Sequence, residues 1–328
     1  MLIKRVRGWE LKENTVTPEH IFADRRRLVK ALAAGPILAG GFSSLVTKTS
    51  AKAASNDERA VWDSLYPVKR NPTYKIDRQE TPESVATTYN NFYEFGSHKE
   101  ISAAAQKMKV YPWTVKIDGL VEKAMTVDFD ALVKKMPLEE RVYRHRCVEA
   151  WSIRIPYSGF PLKALVDYAK PLGAAKYLVM TTVADGASMP GLREFWYPWP
   201  YTDGLTLAEA TNELAFIATG LYGKPIGKQN GAPLRLAVPW KYGFKHVKSI
   251  VAFTFTDKQP VSFWENLAKN EYGFWANINP NVPHPRWSQE TERDLATNTR
   301  IPTQLYNGYG EFVAALYANM PQDRNLFM

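Results

Sequence analysis

The sequence has almost no cysteine. With Cys147 as the only one in 328 residues, it excludes a disulfide scaffold, a four-cysteine iron–sulfur centre and a cysteine-rich zinc ribbon. It has no C-x-x-C-H site for covalent haem either. Long apolar runs are also missing. The small-residue stretch from Ala31 to Val46 is broken by Pro36 and several glycines, and is too short and too weakly apolar to span a membrane. There is no Walker or dinucleotide glycine pattern and no internal repeat. Positive charge is thin outside the N-terminus. Of the net +9, residues 1–53 contribute +6, from ten Lys/Arg against four Asp/Glu, which leaves only +3 on the remainder. A domain so weakly basic lacks the charged face that nucleic acid requires. What is present is ordinary for a folded protein: 45% hydrophobic and 23% charged residues exclude a disordered chain. The 22 prolines and 19 glycines, without a period, predict many loops.

Arg25-Arg26-Arg27-Leu28-Val29-Lys30 precedes the small-residue stretch, and Ala51-Lys52-Ala53 follows it with the small-x-small pattern of a signal-peptidase site. The arrangement resembles a twin-arginine export signal with Arg25 and Arg26 as the pair. It implies that residues 1–53 are a removable address and that the remainder works, already folded, in the periplasm. A lone thiol in that oxidising compartment is expected to be buried and inert, or bound to something.

Residues 54–88 are polar, proline-containing and without period, and predict an extended arm. After the aromatic and amide-rich Tyr89–Gly96, a short helix is expected around 99–107. The alternation at 113–119 predicts a half-buried strand. Further strands are expected at 141–148, 177–183, 214–219, 234–239 and 247–256. Helices are expected at 126–135, 160–168, 205–213, 289–295 and 309–317, and an aromatic loop at 195–201. Strands and helices mix without a strict βαβ repeat, which predicts an α+β domain of mixed sheets and helices.

In the strand at 141–148, Tyr143, His145 and Cys147 share one face while Val142, Arg144 and Arg146 share the other. A thiolate at Cys147 could serve as a nucleophile, a redox partner or a soft metal ligand. As a nucleophile it needs a base, and His145 lies two residues along the same strand, a poor geometry. A thiol reductase needs a resolving cysteine, and none exists. A zinc site with His145, His246 or His284 is conceivable, but no spacing demands it. The charged neighbours Arg144, Arg146 and Glu149 set the segment apart from a bland core strand, and the cations predict a favoured thiolate. Downstream, Gln229-Asn230-Gly231-Ala232-Pro233 leads into Arg235, Lys241, Lys245, His246 and Lys248, packed within fourteen residues around a glycine-containing turn. Such a turn can aim cations and backbone amides at one anion, such as a phosphate.

Asn90-Asn91-Phe92-Tyr93-Glu94-Phe95, Tyr143-Arg144-x-Arg146-Cys147-Val148-Glu149-Ala150-Trp151-Ser152, Gln229-Asn230-Gly231-Ala232-Pro233, Pro239-Trp240-Lys241-Tyr242-Gly243-Phe244-Lys245 and Pro283-His284-Pro285-Arg286-Trp287-Ser288 together resemble the MsrP family. These are the catalytic subunits of periplasmic protein-methionine-sulfoxide reductases, within the sulfite-oxidase-fold molybdoenzymes. The resemblance runs over nearly the whole chain. It implies a sulfite-oxidase-like molybdopterin-binding domain at 111–328, preceded by an arm at 54–110 that begins the cofactor site. It further implies a molybdenum–molybdopterin cofactor with Cys147 as the protein's ligand to the metal. Asn90, Tyr93, Glu94, Thr182 and Asn230 would hold the pterin; Arg235 and His246-Val247-Lys248 would hold the phosphate end. At Thr182 the adjacent Thr181 is the alternative. Glu149 is expected near the metal as a catalytic proton handler, or else in a salt bridge to Arg144 or Arg146. The reaction implied is oxygen-atom transfer from methionine sulfoxide in oxidised periplasmic proteins, with electrons from a membrane haem b subunit, MsrQ. A sulfite dehydrogenase using the same cofactor, and a non-catalytic periplasmic binding protein, are the alternatives.

Overall fold

Val115 and Ile117 point into the core and Thr114 and Lys116 out of it, so the alternation read at 113–119 becomes strand β1 (Thr114–Gly119) of the computed structural model. That model describes residues 58–74, 76 and 78–328; the expected export signal at 1–53 lies outside the described residues. Eleven more strands follow β1 among the described residues: β2 (Met125–Asp128), β3 (Glu139–Cys147), β4 (Trp151–Pro161), β5 (Tyr177–Thr182), β6 (Thr202–Thr206), β7 (Phe216–Leu221), β8 (Lys224–Pro225), β9 (Arg235–Ala237), β10 (Ile250–Thr256), β11 (Thr291–Asp294) and β12 (Thr299–Pro302). They form a five-stranded sheet in the order β2-β1-β10-β5-β6 and a seven-stranded sheet in the order β12-β11-β4-β7-β8, with β3 alongside β4 and β9 alongside β7. Each sheet contains one parallel pairing, β1 with β10 and β11 with β4; the other pairings are antiparallel. The α+β expectation therefore holds. One hydrophobic core runs from Trp62 to Phe327 and includes Phe92, Phe95 and Ile101 of the arm.

Several expected elements differ, each for a local reason. The segment 126–135 opens as β2 and turns helical only at Phe129–Val133. The segment 205–213 finishes β6 before a helix starts at Leu207, capped reciprocally by Thr206 and Glu209. The segment 289–295 is not a helix but contains β11, whose Arg293 and Asp294 pair beside Trp151 and Ser152. β4 was not expected at all. Its residues from Trp151 to Phe160 are buried on both faces, so no alternation betrays it.

The β3–β4 hairpin places the candidate metal ligand. Nine cross-strand pairs run from Glu139–Gly159 to Cys147–Trp151, leaving Val148-Glu149-Ala150 as a three-residue turn. Ala150 closes it in the left-handed region at φ 60°, and its N–H bonds the Cys147 carbonyl at 3.1 Å. Cys147 thus stands at the end of a ribbon whose register is fixed along its length.

Candidate functional site

Asn90, Tyr93, Glu94, Cys147, Glu149, Thr182, Asn230, Arg235 and Lys248 line one cavity of about 340 Å³. They come from the arm, the β3–β4 turn, the end of β5 and the basic segment around β9. Between the two threonines, Thr182 is the one on the cavity wall. His246 and Val247 stand behind the wall. Val247 is buried, with its carbonyl taking the Leu236 N–H and its own N–H bonded to Lys245. The His246 ring packs edge-on against His145, 3.2 Å between Nδ1 atoms, and its Nε2 lies 3.0 Å from the Val238 carbonyl. A carbonyl only accepts, so Nε2 of His246 carries the proton and His145 Nδ1 donates to His246 Nδ1. His145 itself lines the cavity. Burial, together with the nearby Arg235 and Lys248 charges, holds both imidazoles well below the ordinary histidine value, hence neutral.

The Cys147 side chain is 5% exposed. Its sulfur lies 3.4 Å from Asn91 Nδ2, 3.5 Å from the Glu149 N–H and 3.7 Å from Glu149 Oε2. Burial and the Glu149 carboxylate push the thiol up to about 12, so the expected favoured thiolate is not found. Burial outweighs the cations: Lys99 and Arg146 act to lower the thiol but do not prevail, and Arg144 and Arg146 occupy the opposite strand face. Arg146 is fully buried against Glu292 at 2.7 Å and donates to the Cys147 carbonyl, while Arg144 donates to Gln304 at 2.7 Å. Neither arginine lines the cavity.

Nor does Glu149 pair with either arginine. Its Oε2 receives Lys99 Nζ at 2.6 Å, Trp151 Nε1 at 3.0 Å and Asn91 Nδ2 at 3.2 Å. Burial raises this carboxyl, but those three donors outweigh it, and it sits below the usual carboxylate range. Lys99 also donates to Asn91 Oδ1 at 2.5 Å, which fixes the amide so that its NH₂ faces the sulfur. Lys99 and Asn91 were not singled out in the sequence. Asn91 sat inside a quoted motif; Lys99 gave no signal, because its partner is fifty positions away.

The polar wall of the cavity is incompletely satisfied. Asn90 and Asn230 both give their NH₂ to the Ala86 carbonyl, at 3.0 and 2.9 Å, which leaves both amide oxygens buried without a partner. Arg235 gives Nη1 to the Asn230 carbonyl at 3.0 Å, and its Nη2 is likewise buried and unpartnered. A buried group in that state costs about 1–3 kcal/mol. Beside it, burial and the Arg235 charge hold the Lys248 ammonium low, and burial holds Glu94 high. Two lone acceptors and a cationic pair on one wall call for a ligand with ring N–H donors at one end and an anion at the other. A pterin with a phosphate tail has that donor set. Among the described residues no three His, Cys, Asp or Glu side chains converge as a metal cage. A metal here would have Cys147 as its protein ligand and take its other donors from elsewhere, as a dithiolene provides.

Comparison with known proteins agrees with this donor set. Residues 102–264 match the family described as oxidoreductase molybdopterin binding domain. The chain is 44% identical over 330 residues to the protein-methionine-sulfoxide reductase catalytic subunit MsrP of Burkholderia mallei, covering 98% of each. To the protein of the same name from Xanthomonas axonopodis pv. citri it is 44% identical over 317 residues, covering 94% of this chain and 96% of that one. Among solved structures, the sulfane dehydrogenase SoxCD of Paracoccus pantotrophus has a TM-score of 0.42 at 17% identity, covering 84% of this chain and 68% of that one.

Proposed function

The chain belongs to the MsrP family of protein-methionine-sulfoxide reductase catalytic subunits, and from that premise we propose how its residues carry the reaction. It is an oxidoreductase with a molybdopterin cofactor, and its substrates are methionine sulfoxide residues in proteins. When bound, the cofactor supplies oxygen-atom transfer, in which sulfoxide, two electrons and two protons give thioether and water. Cys147 would hold the metal through its sulfur, as a thiolate. Asn90 and Asn230 accept from the pterin with their unpartnered oxygens, and Tyr93, Glu94 and Thr182 complete that wall. Arg235 and Lys248 hold the phosphate, with His246 and Val247 packed behind them. The carboxylate of Glu149, pinned by Lys99, Trp151 and Asn91, is the nearest acidic group to the sulfur and handles the protons the reaction consumes.

A catalytic subunit works with a partner that supplies its electrons. We take this to be a membrane haem b subunit, MsrQ, facing a periplasmic enzyme exported by its 1–53 signal, with the arm at 54–110 opening the cofactor site and 111–328 forming the catalytic domain. No helix among the described residues is long and apolar enough to cross a membrane.

The observation that carries the assignment is the set of three orphaned polar atoms, on Asn90, Asn230 and Arg235, in the same cavity as the Cys147 sulfur. The placement of Arg144 and Arg146 away from the cavity weighs against sulfite, a small dianion that wants a dense cationic pocket. Protein purified from cells able to make the cofactor should contain close to one molybdenum per chain. With a reduced dye as electron donor it should reduce methionine sulfoxide in an oxidised protein, and with an oxidised dye as electron acceptor it should leave sulfite untouched. Turnover of sulfite alone, or protein without molybdenum, overturns the reading.

A further inference from the structure

Two large aromatic side chains stand in the open beside the cavity. Phe195 is 88% exposed and Trp196 is 56% exposed, in edge contact with ring centroids 5.2 Å apart. Single exposed apolar residues are common on any surface, but two adjacent rings at the tip of one turn are not.

The backbone fixes that turn. The Glu194 carbonyl takes the Tyr197 N–H at 3.1 Å and Trp199 Nε1 at 3.2 Å, and the Tyr197 carbonyl takes the Trp199 N–H at 2.9 Å. Residues 194, 197 and 199 are thereby tied together, and Phe195 and Trp196 are the two left projecting. The loop is also fastened to the cofactor arm, because the Gly191 N–H bonds the Glu94 carbonyl at 2.7 Å.

From those rings an aromatic track leads inward. Trp196 meets Tyr197 at 6.0 Å, and Tyr197 meets Tyr93 at 5.9 Å and Trp264 at 6.3 Å; both Tyr93 and Trp264 line the cavity. The exposed pair is thus continuous, through Tyr197 and Trp264, with the wall of the cavity that holds the cofactor and the Cys147 sulfur. From Phe195 to the cavity wall, the path is no longer than about five residues of extended chain.

We infer that Phe195 and Trp196 form an apolar subsite for the substrate polypeptide, taking an apolar side chain about four residues from the methionine sulfoxide. This rests on the reading of the cavity as the cofactor site of a protein-methionine-sulfoxide reductase, which the substrate side chain approaches from the open side. Methionine is among the most often buried residue types, so an oxidised one brings apolar neighbours with it. Two uncharged rings with few rotatable bonds, on a tied turn, bind such neighbours at little entropic loss.

The test uses the cofactor-loaded enzyme, a reduced dye as donor and three substrates. Two are peptides of equal length with a central methionine sulfoxide, bearing leucine or serine four residues to either side; the third is free methionine sulfoxide. The wild type is expected to show a kcat/KM about tenfold higher for the leucine peptide than for the serine peptide, expressed through KM. In the double variant Phe195→Ser with Trp196→Ser, that ratio falls to about one, and in Trp196→Phe it is kept. Equal rates for the two peptides in the wild type overturn the inference before any variant is made. A ratio that survives in the double variant overturns it too, and assigns the patch to another occupant, such as the electron donor or a second copy of the chain. Uniform slowing on all three substrates leaves the ratio standing and counts against it as well. If the wild type reduces none of the three, the functional reading itself fails and takes the subsite with it.

Discussion

Burial keeps a proton on Cys147 until something binds the sulfur more strongly. A thiol held up to about 12 is a poor nucleophile and resists oxidation, since the thiolate is the reactive form. As the proposed ligand to a soft metal, Cys147 would lose that proton, and a single cysteine would be enough. Cys147→Ser is therefore expected to retain the wild-type circular dichroism and to lose at least about tenfold of its molybdenum by elemental analysis. Arg235→Ala should reduce cofactor occupancy severalfold for a different reason, the loss of the phosphate's cation; unchanged occupancy would contradict that role. At this scale most of the candidate site was legible, because Asn90, Cys147 and Asn230 sit in long, ordered motifs and Arg235 in the basic cluster that follows. The ionic partner of Glu149 was not. Sequence proximity suggested Arg144 or Arg146, but strand alternation sends both to the other face, and Lys99 reaches the carboxylate from the arm.

Among the elements, close backbone approach decides where the arm meets the loop above it. A Cβ on Gly191 would lie 2.1 Å from the Tyr93 carbonyl oxygen and 2.8 Å from that of Glu94. Both are backbone atoms and cannot swing aside as a side chain would. Gly191→Ala is thus expected to lower stability by about 1–3 kcal/mol in urea unfolding. It should also reduce molybdenum content, because the displaced segment carries Tyr93 and Glu94. Wild-type stability and occupancy together would show that the loop and arm give way freely. Element boundaries were legible where one face is wet, as in β1, and not where both faces are dry, as in β4. Pairing partners far along the chain also override local preference, as when β4 draws 291–294 into a strand.

Across the described residues, buried charge away from the cavity wall is paired or suppressed. Lys241 meets Glu209 at 2.5 Å and Lys245 meets Asp203 at 2.5 Å, all four buried. His145 and His246 have no acidic partner and stay neutral. Above pH 6.5, neither the folded nor the unfolded chain protonates them, so they do not affect stability. As pH falls below that value, the unfolded chain takes up two protons that the folded protein refuses. Each histidine should then cost up to roughly 1.4 kcal/mol per pH unit, offset in part by Glu94, whose carboxyl is held up to about 7 by burial and which gains its proton in the folded protein over the same range. Urea midpoints between pH 7.5 and 5.5 measure the balance, and His145→Gln should lower the loss of stability on acidification by up to about 1.4 kcal/mol per pH unit. The mixed α+β class was readable from composition and element order. The two-sheet arrangement was not, because β1 finds β10 and β4 finds β11 more than a hundred positions away.

The nine-pair ribbon that ends at Cys147 also restricts how descendants of this gene can drift. Every side chain between Glu139 and Cys147 changes sides with each residue added or removed. An insertion of one there that no bulge absorbs would swing the Arg146 guanidinium to where the sulfur belongs and hide the sulfur behind the sheet. Lineages that keep the enzyme are expected to hold the length of this segment, or to take up any change as a bulge.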